Sequence, residues 1–122
     1  LARAALEAVA YQTLDLMAAM AKDGAAAAEA VRVDGGMAAN TWLCQFLADI
    51  LGVPVERPQN LETTALGAAF LAGLATGVWS NLDALSATWQ RGDCFVPAMA
   101  SDRRGALISG WRRAVAKTLT SP

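Results

Sequence analysis

The sequence contains no histidine. That absence removes Ser-His-Asp and Cys-His catalysis, a histidine general base and histidine-held metals from the repertoire of these residues. Two cysteines, Cys44 and Cys94, lie far apart and match no zinc or redox spacing. Cys44 falls in an apolar periodic segment and reads as a buried small hydrophobe. Nothing resembles a signal peptide, so a reducing cytoplasm without disulfides is the expected setting. Charged residues make up only 17%, with a net charge of −1 and a pI near 5.2, so no basic field points to nucleic acid. No GxxxxGK[ST] is present, which excludes a P-loop. From Thr63 to Leu82 charge is absent over a bilayer-spanning length. Gly67, Gly73, Thr76, Gly77, Ser80 and Asn81 dilute that stretch and no basic cluster flanks it, so a helix buried on most sides of a soluble fold is expected rather than a membrane span.

What the sequence does have is apolar content, 55% of 122 residues, enough to exclude disorder and to build one domain or one piece of a larger one. It begins at Leu1 rather than methionine, directly in a helical pattern, which suggests a segment of a longer protein. Leu6, Val9, Thr13, Met17 and Met20, with Leu16 alongside, form the apolar stripe of that helix, and Asp23-Gly24 supplies a stop. Alanine-rich residues 25–30 form a connector or a helical extension. Ala30-Val31-Arg32-Val33 reads as a buried strand running into Asp34-Gly35-Gly36. Apolar pairs at Trp42/Leu43, Phe46/Leu47 and Ile50/Leu51 predict a helix with a wide buried face that ends at Gly52. Val53-Pro54-Val55-Glu56 predicts a second strand, with Pro54 suited to an edge or a strand start. Strand, helix and strand make a βαβ unit, so the fold class is α/β. Residues 57–62 read as a polar loop, Thr63 or Thr64 as the cap of a helix reaching Thr76, and 81–85 as a short helical turn. Residues 88–105 read as irregular, ahead of an amphipathic helix over 103–119 with Leu107, Ile108, Trp111 and Val115 along one face.

The strand–glycine–helix junction is where chemistry is most plausible on pattern. Paired glycines let another group approach the backbone, and a helix N-terminus directs N–H groups and partial positive charge to the same place. Asn40, four residues after Gly36, carries a donor and an acceptor suited to a purine edge or a ribose. The alternative is a tight turn with Asn40 facing solvent. Glu56 stands where a dinucleotide fold keeps its ribose-binding acid, but Gly-Gly-Met-Ala-Ala-Asn is not GxGxxG. Asp34, Glu56 and Glu62 sit at element ends without forming a close pair, and Asp34 reads best as an acceptor for loop N–H groups. Arg103, Arg104, Arg112, Arg113 and Lys117 read as a solvated outer face of the last helix, and the four tryptophans as core or interface anchors.

Several runs are familiar together. Ala10-Tyr11-Gln12-Thr13 of the entry helix, Val33-Asp34-Gly35-Gly36-Met37-Ala38-Ala39-Asn40, Gln45-Phe46, Ala48 to Gly52, Val55-Glu56-Arg57-Pro58, Glu62 to Ala69 with Leu71 to Ala75, and the closing Gly110 to Val115 stand in one order along nearly the whole chain. In that order the chain resembles the carboxyl-terminal domain of the glycerol kinases, a branch of the FGGY carbohydrate kinases. The resemblance implies an actin/hexokinase-like (ribonuclease H-like) ATPase fold, with residues 1–122 forming the C-terminal portion of the second domain of a longer two-domain enzyme. It implies that Gly35, Gly36, Met37 and Asn40 contact the nucleotide, while Gly67 and Gly73 let backbones approach in a packing helix. ATP and glycerol are the implied small-molecule substrates, with Mg²⁺ held mainly by the N-terminal part. The general-base aspartate, the phosphate hairpin and the polyol site have no counterpart here, so no catalytic or metal residue is expected within the chain. A cytoplasmic, homo-oligomeric parent with no nucleic-acid or membrane partner completes the implication. Two rival readings are a sister kinase acting on xylulose, ribulose or erythritol, and an inactive interaction module that self-associates through an open sheet edge.

Overall fold

Strand, helix and strand form the centre of the molecule, as their sequence pattern requires. In a computed structural model, which describes residues 1–88 and 90–119, β1 (Val31–Arg32) pairs in parallel with β2 (Val55–Pro58), Val31 opposite Val55 and Arg32 opposite Glu56. Helix α2 (Thr41–Leu51) makes the crossover between them. A third strand, β3 (Arg91–Phe95), runs antiparallel on the other side of β2, giving the order β1-β2-β3. The remaining helices are α1 (Ala2–Lys22), α3 (Thr63–Ala75), α4 (Leu82–Ser86) and α5 (Ser101–Thr118).

Helix α2 buries the most. Leu43, Cys44, Phe46, Leu47, Ala48, Ile50 and Leu51 are all buried, and Ile50 and Ala48 are completely so. All but Leu43 pack in one core with Ala10 and Tyr11 of α1, Val55 of β2 and Phe95 of β3. Tyr11 stacks on Trp111 of α5 at 5.3 Å and meets Phe46 edge-on at 5.8 Å, while the Trp111 indole N–H donates to Asp15 at 2.7 Å. Trp42 stacks on Phe46 at 5.0 Å. Trp111 is therefore an interface anchor, as expected, whereas Trp42 is 41% exposed and stacks on a residue of its own helix; Trp89 lies outside the described residues. Both ends of α2 are closed. Asn40 Oδ1 accepts from the Leu43 N–H at 3.1 Å at the start. At the finish Gly52 takes a left-handed conformation, and Arg104 donates to the Ile50 and Leu51 carbonyls at 2.9 and 3.0 Å. Arg104 thus leaves the solvated set, because those last carbonyls have no partner within the helix.

Other expectations change for physical reasons. The stripe of α1 runs through Ala10, Tyr11, Leu14 and Met17, whereas Leu16 and Met20 are exposed. β1 is half-buried rather than buried because it pairs on one side only among the described residues. β2 starts two residues later than its apolar run and continues through Pro58. Being central it bonds on both sides, and Pro58, which lacks an N–H, sits at the irregularity between Glu56 and Pro58. Pro54 lies outside the strand and offers its carbonyl to the Val31 N–H at 2.9 Å. β3 overturns the irregular reading of the residues before α5. Asp49, on α2, ties the segment after β3 by accepting from the Ala98 and Met99 N–H groups at 2.7 and 3.1 Å. Helix α3 is capped by neither threonine: Glu62 is its N-cap residue, with no side-chain cap bond. Nor is α3 buried on most sides, since Gly73 is its one buried residue and Leu71 is 68% exposed. Gly73 seats the Trp79 ring rather than another backbone, as an added Cβ would lie 2.1 Å from the indole, and nothing approaches Gly67 within 4 Å. The short turn at α4 is present and capped by Asn81 Oδ1, which accepts from the Ala84 N–H at 2.8 Å. No helix among the described residues is long and apolar enough to cross a membrane.

Candidate functional site

At the end of β1 the chain must turn sharply to enter α2, and two glycines make that turn. Gly35 has φ +78, a region that side chains other than glycine's rarely occupy. Its N–H reaches the Leu61 carbonyl at 3.3 Å. A single 3₁₀ turn, Gly36–Ala39, follows before α2 begins, so the glycine pair does not feed the helix directly. The turn is closed by the Ala38 N–H on the Gly35 carbonyl at 3.0 Å and the Asn40 N–H on the Met37 carbonyl at 3.1 Å. Gly36 differs from Gly35 in its ordinary φ, and at both an added Cβ would meet nothing within 4 Å. The surface over Gly36 is open on the side where a side chain would stand.

The structure brings Gly35, Gly36, Met37 and Asn40 onto one exposed ledge at the N-terminus of α2. Met37 projects outward, 52% exposed, while Ala38 is buried beneath. Asn40 is the N-cap residue rather than a first-turn residue. Its side-chain oxygen accepts the cap bond while the residue remains exposed. The N–H groups of Thr41 and Trp42 have no acceptor inside the helix, which adds partial positive charge to the same ledge. An apolar hollow of about 290 Å³, lined by Val9, Val33, Met37, Leu43 and Cys44 among others, opens beside the turn.

Asp34 does not accept from loop N–H groups as expected. Its carboxylate takes the Thr63 hydroxyl instead, tying the turn to the start of α3. Glu56 pairs with Arg32 at 3.4 Å, so it is engaged along the sheet. Glu62 lies at the head of α3, where its N–H reaches Asn60 Oδ1 at 2.9 Å. Gln45 donates to the Val96 carbonyl at 2.8 Å, a structural task.

Arg57 was given no role by its sequence context. It donates to the Ala38 and Ala39 carbonyls at 2.8 and 3.3 Å and pairs with Asp93 of β3. A signal existed: alternation along β2 puts Arg57 on the face of buried Val55, where a guanidinium requires partners. The Cys44 thiol donates to the same Ala38 carbonyl at 3.3 Å. Burial pushes that thiol's pKa up, with Asp93 adding to the effect and Arg57 opposing it. Because the folded value is raised, the associated stability is complete below the ordinary thiol range and is lost as pH rises through the folded value. Ellman's reagent is accordingly expected to titrate exposed Cys94 at once in the purified chain, and Cys44 only after denaturant is added. Two fast native thiols would show that the Ala38–Cys44 contact is not held. No group of three metal-ligating side chains lies close enough to hold a cation among the described residues.

The C-terminal domain of the FGGY family of carbohydrate kinases matches residues 1–76. The chain is 55% identical to a glycerol kinase of Gluconobacter oxydans over 120 residues and 60% identical to one of Aromatoleum aromaticum over 115, covering 98% and 94% of this chain. It spans 23% of the length of each. Among solved structures it is similar to Plasmodium falciparum glycerol kinase crystallised with ADP, with a TM-score of 0.79 and 34% identity over 98% of this chain and 24% of that one. A xylulose kinase from Rhodospirillum rubrum has a TM-score of 0.71 at 26% identity over 94% of this chain and 24% of that chain. The α/β fold is thus the actin/hexokinase-like one of these kinases, and the chain belongs to the FGGY family of carbohydrate kinases.

Proposed function

We propose that residues 1–122 form the C-terminal portion of the second domain of an ATP-dependent glycerol kinase and supply the wall of its nucleotide site. The observation that carries this reading is identity above one half, across nearly the whole chain, to glycerol kinases from several bacteria. The ledge supports it chemically. Gly36 leaves room for a nucleoside against the backbone, Asn40 offers an amide donor, and Gly35 and Met37 shape the approach. That the Plasmodium enzyme was crystallised with ADP supports the use of an adenine nucleotide.

The parent enzyme transfers the ATP γ-phosphoryl group to a glycerol hydroxyl, giving glycerol 3-phosphate and ADP. An aspartate elsewhere in the enzyme accepts the hydroxyl proton, and closure of the two domains excludes water. Within this chain the work is binding and orientation, and no catalytic group is assigned to it. Mg²⁺ would be held mainly by the N-terminal part of the enzyme, where it would neutralise charge on the phosphates. A cytoplasmic homo-oligomer remains the reading for the parent.

Turnover of ATP by the full-length enzyme, offered glycerol, xylulose, ribulose, erythritol or no acceptor, tests the proposal. Glycerol-dependent ADP formation is the expected result. Preference for another polyol moves the function to a sister kinase, and no turnover with any acceptor removes the catalytic reading.

A further inference from the structure

The 3₁₀ turn at Gly36–Ala39 is not held by its own short hydrogen bonds alone. Its last two carbonyls, Ala38 and Ala39, face the guanidinium of Arg57, which donates from Nη1 at 2.8 and 3.3 Å. The other edge of the same guanidinium is taken by Asp93, which accepts from Nε at 3.1 Å and from Nη2. Beneath it lies the Phe95 ring, 5.3 Å from the guanidinium carbon. The Arg57 side chain is only 16% exposed, so its partners are protein groups rather than bulk water. One planar fork thus joins the turn to the central strand and to β3, a geometry that a lysine ammonium does not reproduce.

We infer that Arg57 and Asp93 form a latch that sets the height of the Gly36–Asn40 ledge, making Arg57 a positioning residue for the nucleoside without touching it. This rests on the nucleotide-site reading above. The chemical reason is the direction of the bonds. Arg57 is committed to main-chain carbonyls at one end of a four-residue turn whose other end carries Gly36, and Asn40 follows it directly. Asp93 neutralises the guanidinium and fixes its plane, so that both carbonyls are met at once. Without the latch the Ala38 carbonyl keeps only the Cys44 thiol, a weak donor.

The test is steady-state kinetics of the full-length enzyme carrying Arg57→Met, Arg57→Lys or Asp93→Asn. Each is expected to raise the KM for ATP, by roughly tenfold for Arg57→Met, with kcat and the KM for glycerol within about twofold. The double variant Arg57→Met/Asp93→Asn should be little worse than Arg57→Met, since both changes open one latch. The signs are diagnostic. If Arg57 acted on the phosphates simply as a positive charge, Arg57→Lys would be silent and Asp93→Asn would lower the KM, and either result overturns the latch. A lower melting temperature with an unchanged KM for ATP would mean that the latch serves stability only, and that also overturns it. Should Arg57→Met fail to fold, Arg57→Lys and Asp93→Asn decide. Gly36→Val is run alongside: if it leaves the KM for ATP unchanged the nucleotide-site reading fails, whereas if it raises the KM and the Arg57 variants do not, only the latch fails.

Discussion

Gly36→Val in the full-length enzyme is expected to raise the KM for ATP by about tenfold to a hundredfold while the KM for glycerol and the melting temperature stay near their starting values. The size follows from forcing a branched side chain into a close contact, which costs about 1–3 kcal/mol, or roughly tenfold per 1.4 kcal/mol. The selectivity follows from the backbone. Gly36 has an ordinary φ and open space where a Cβ would stand, so the fold accepts the side chain and a bound nucleoside does not. Gly35→Ala makes the internal contrast. There φ is +78 with ψ 177, and the substitution strains the turn by about 1–3 kcal/mol whether or not ATP is present, so stability falls as well. Asn40 needs similar care, because alanine there removes the cap of α2 along with the amide. Asn40→Ser keeps an N-cap oxygen and removes only the amide, so an ATP effect from it reports on the ligand. Normal ATP affinity in Gly36→Val would mean that the nucleotide does not rest on this ledge.

Ile50→Ala is expected to destabilise the protein by about 2–5 kcal/mol, a large share of the 5–15 kcal/mol typical of a domain. Ile50 has no exposure at all and sits on the face of α2 that meets α1, β2 and β3, where few neighbours can collapse into the space left behind. Leu71→Ala, on α3, removes as many carbons from a site that is 68% exposed and should change stability by no more than about 0.5 kcal/mol. Urea unfolding midpoints of the two variants against the parent measure the difference. Equal losses would show that α3 is covered, and that the centre of packing does not lie where α2 puts it.

The contrast between those helices marks where the sequence is readable. The pairs from Trp42 to Leu51 predict a helix, its buried face and its stop at Gly52 because periodicity within one element is a local property. Valine content and flanking glycines likewise give the two parallel strands. Helix α3 shows the limit: lack of charge reports what a helix tolerates, while burial depends on which other elements reach it. β3 stayed hidden because Arg-Gly-Asp-Cys-Phe has neither alternation nor a β-branched residue. Its glycine is informative only in three dimensions, since a Cβ on Gly92 would press on the backbone of Arg57, Pro58 and Gln59 at 3.0 to 3.1 Å. The ledge itself was legible from the Gly-Gly pair and Asn40, but its supports were not. Arg57, Asp93 and Thr63 come to it from distant positions, and only the folded sheet makes them neighbours.

The closure of α2 at both ends also bears on how the molecule opens. Asn40, Gly52 and Arg104 remove the frayed turns from which a helix ordinarily begins to exchange its amide protons with solvent. Among the described residues the slowest exchange is therefore expected in α2, and the ledge, whose last residue is also the cap of that helix, is fastened to the element expected to open last. ATP affinity should consequently persist on warming until the cooperative unfolding of the core, with no earlier local melting of the site.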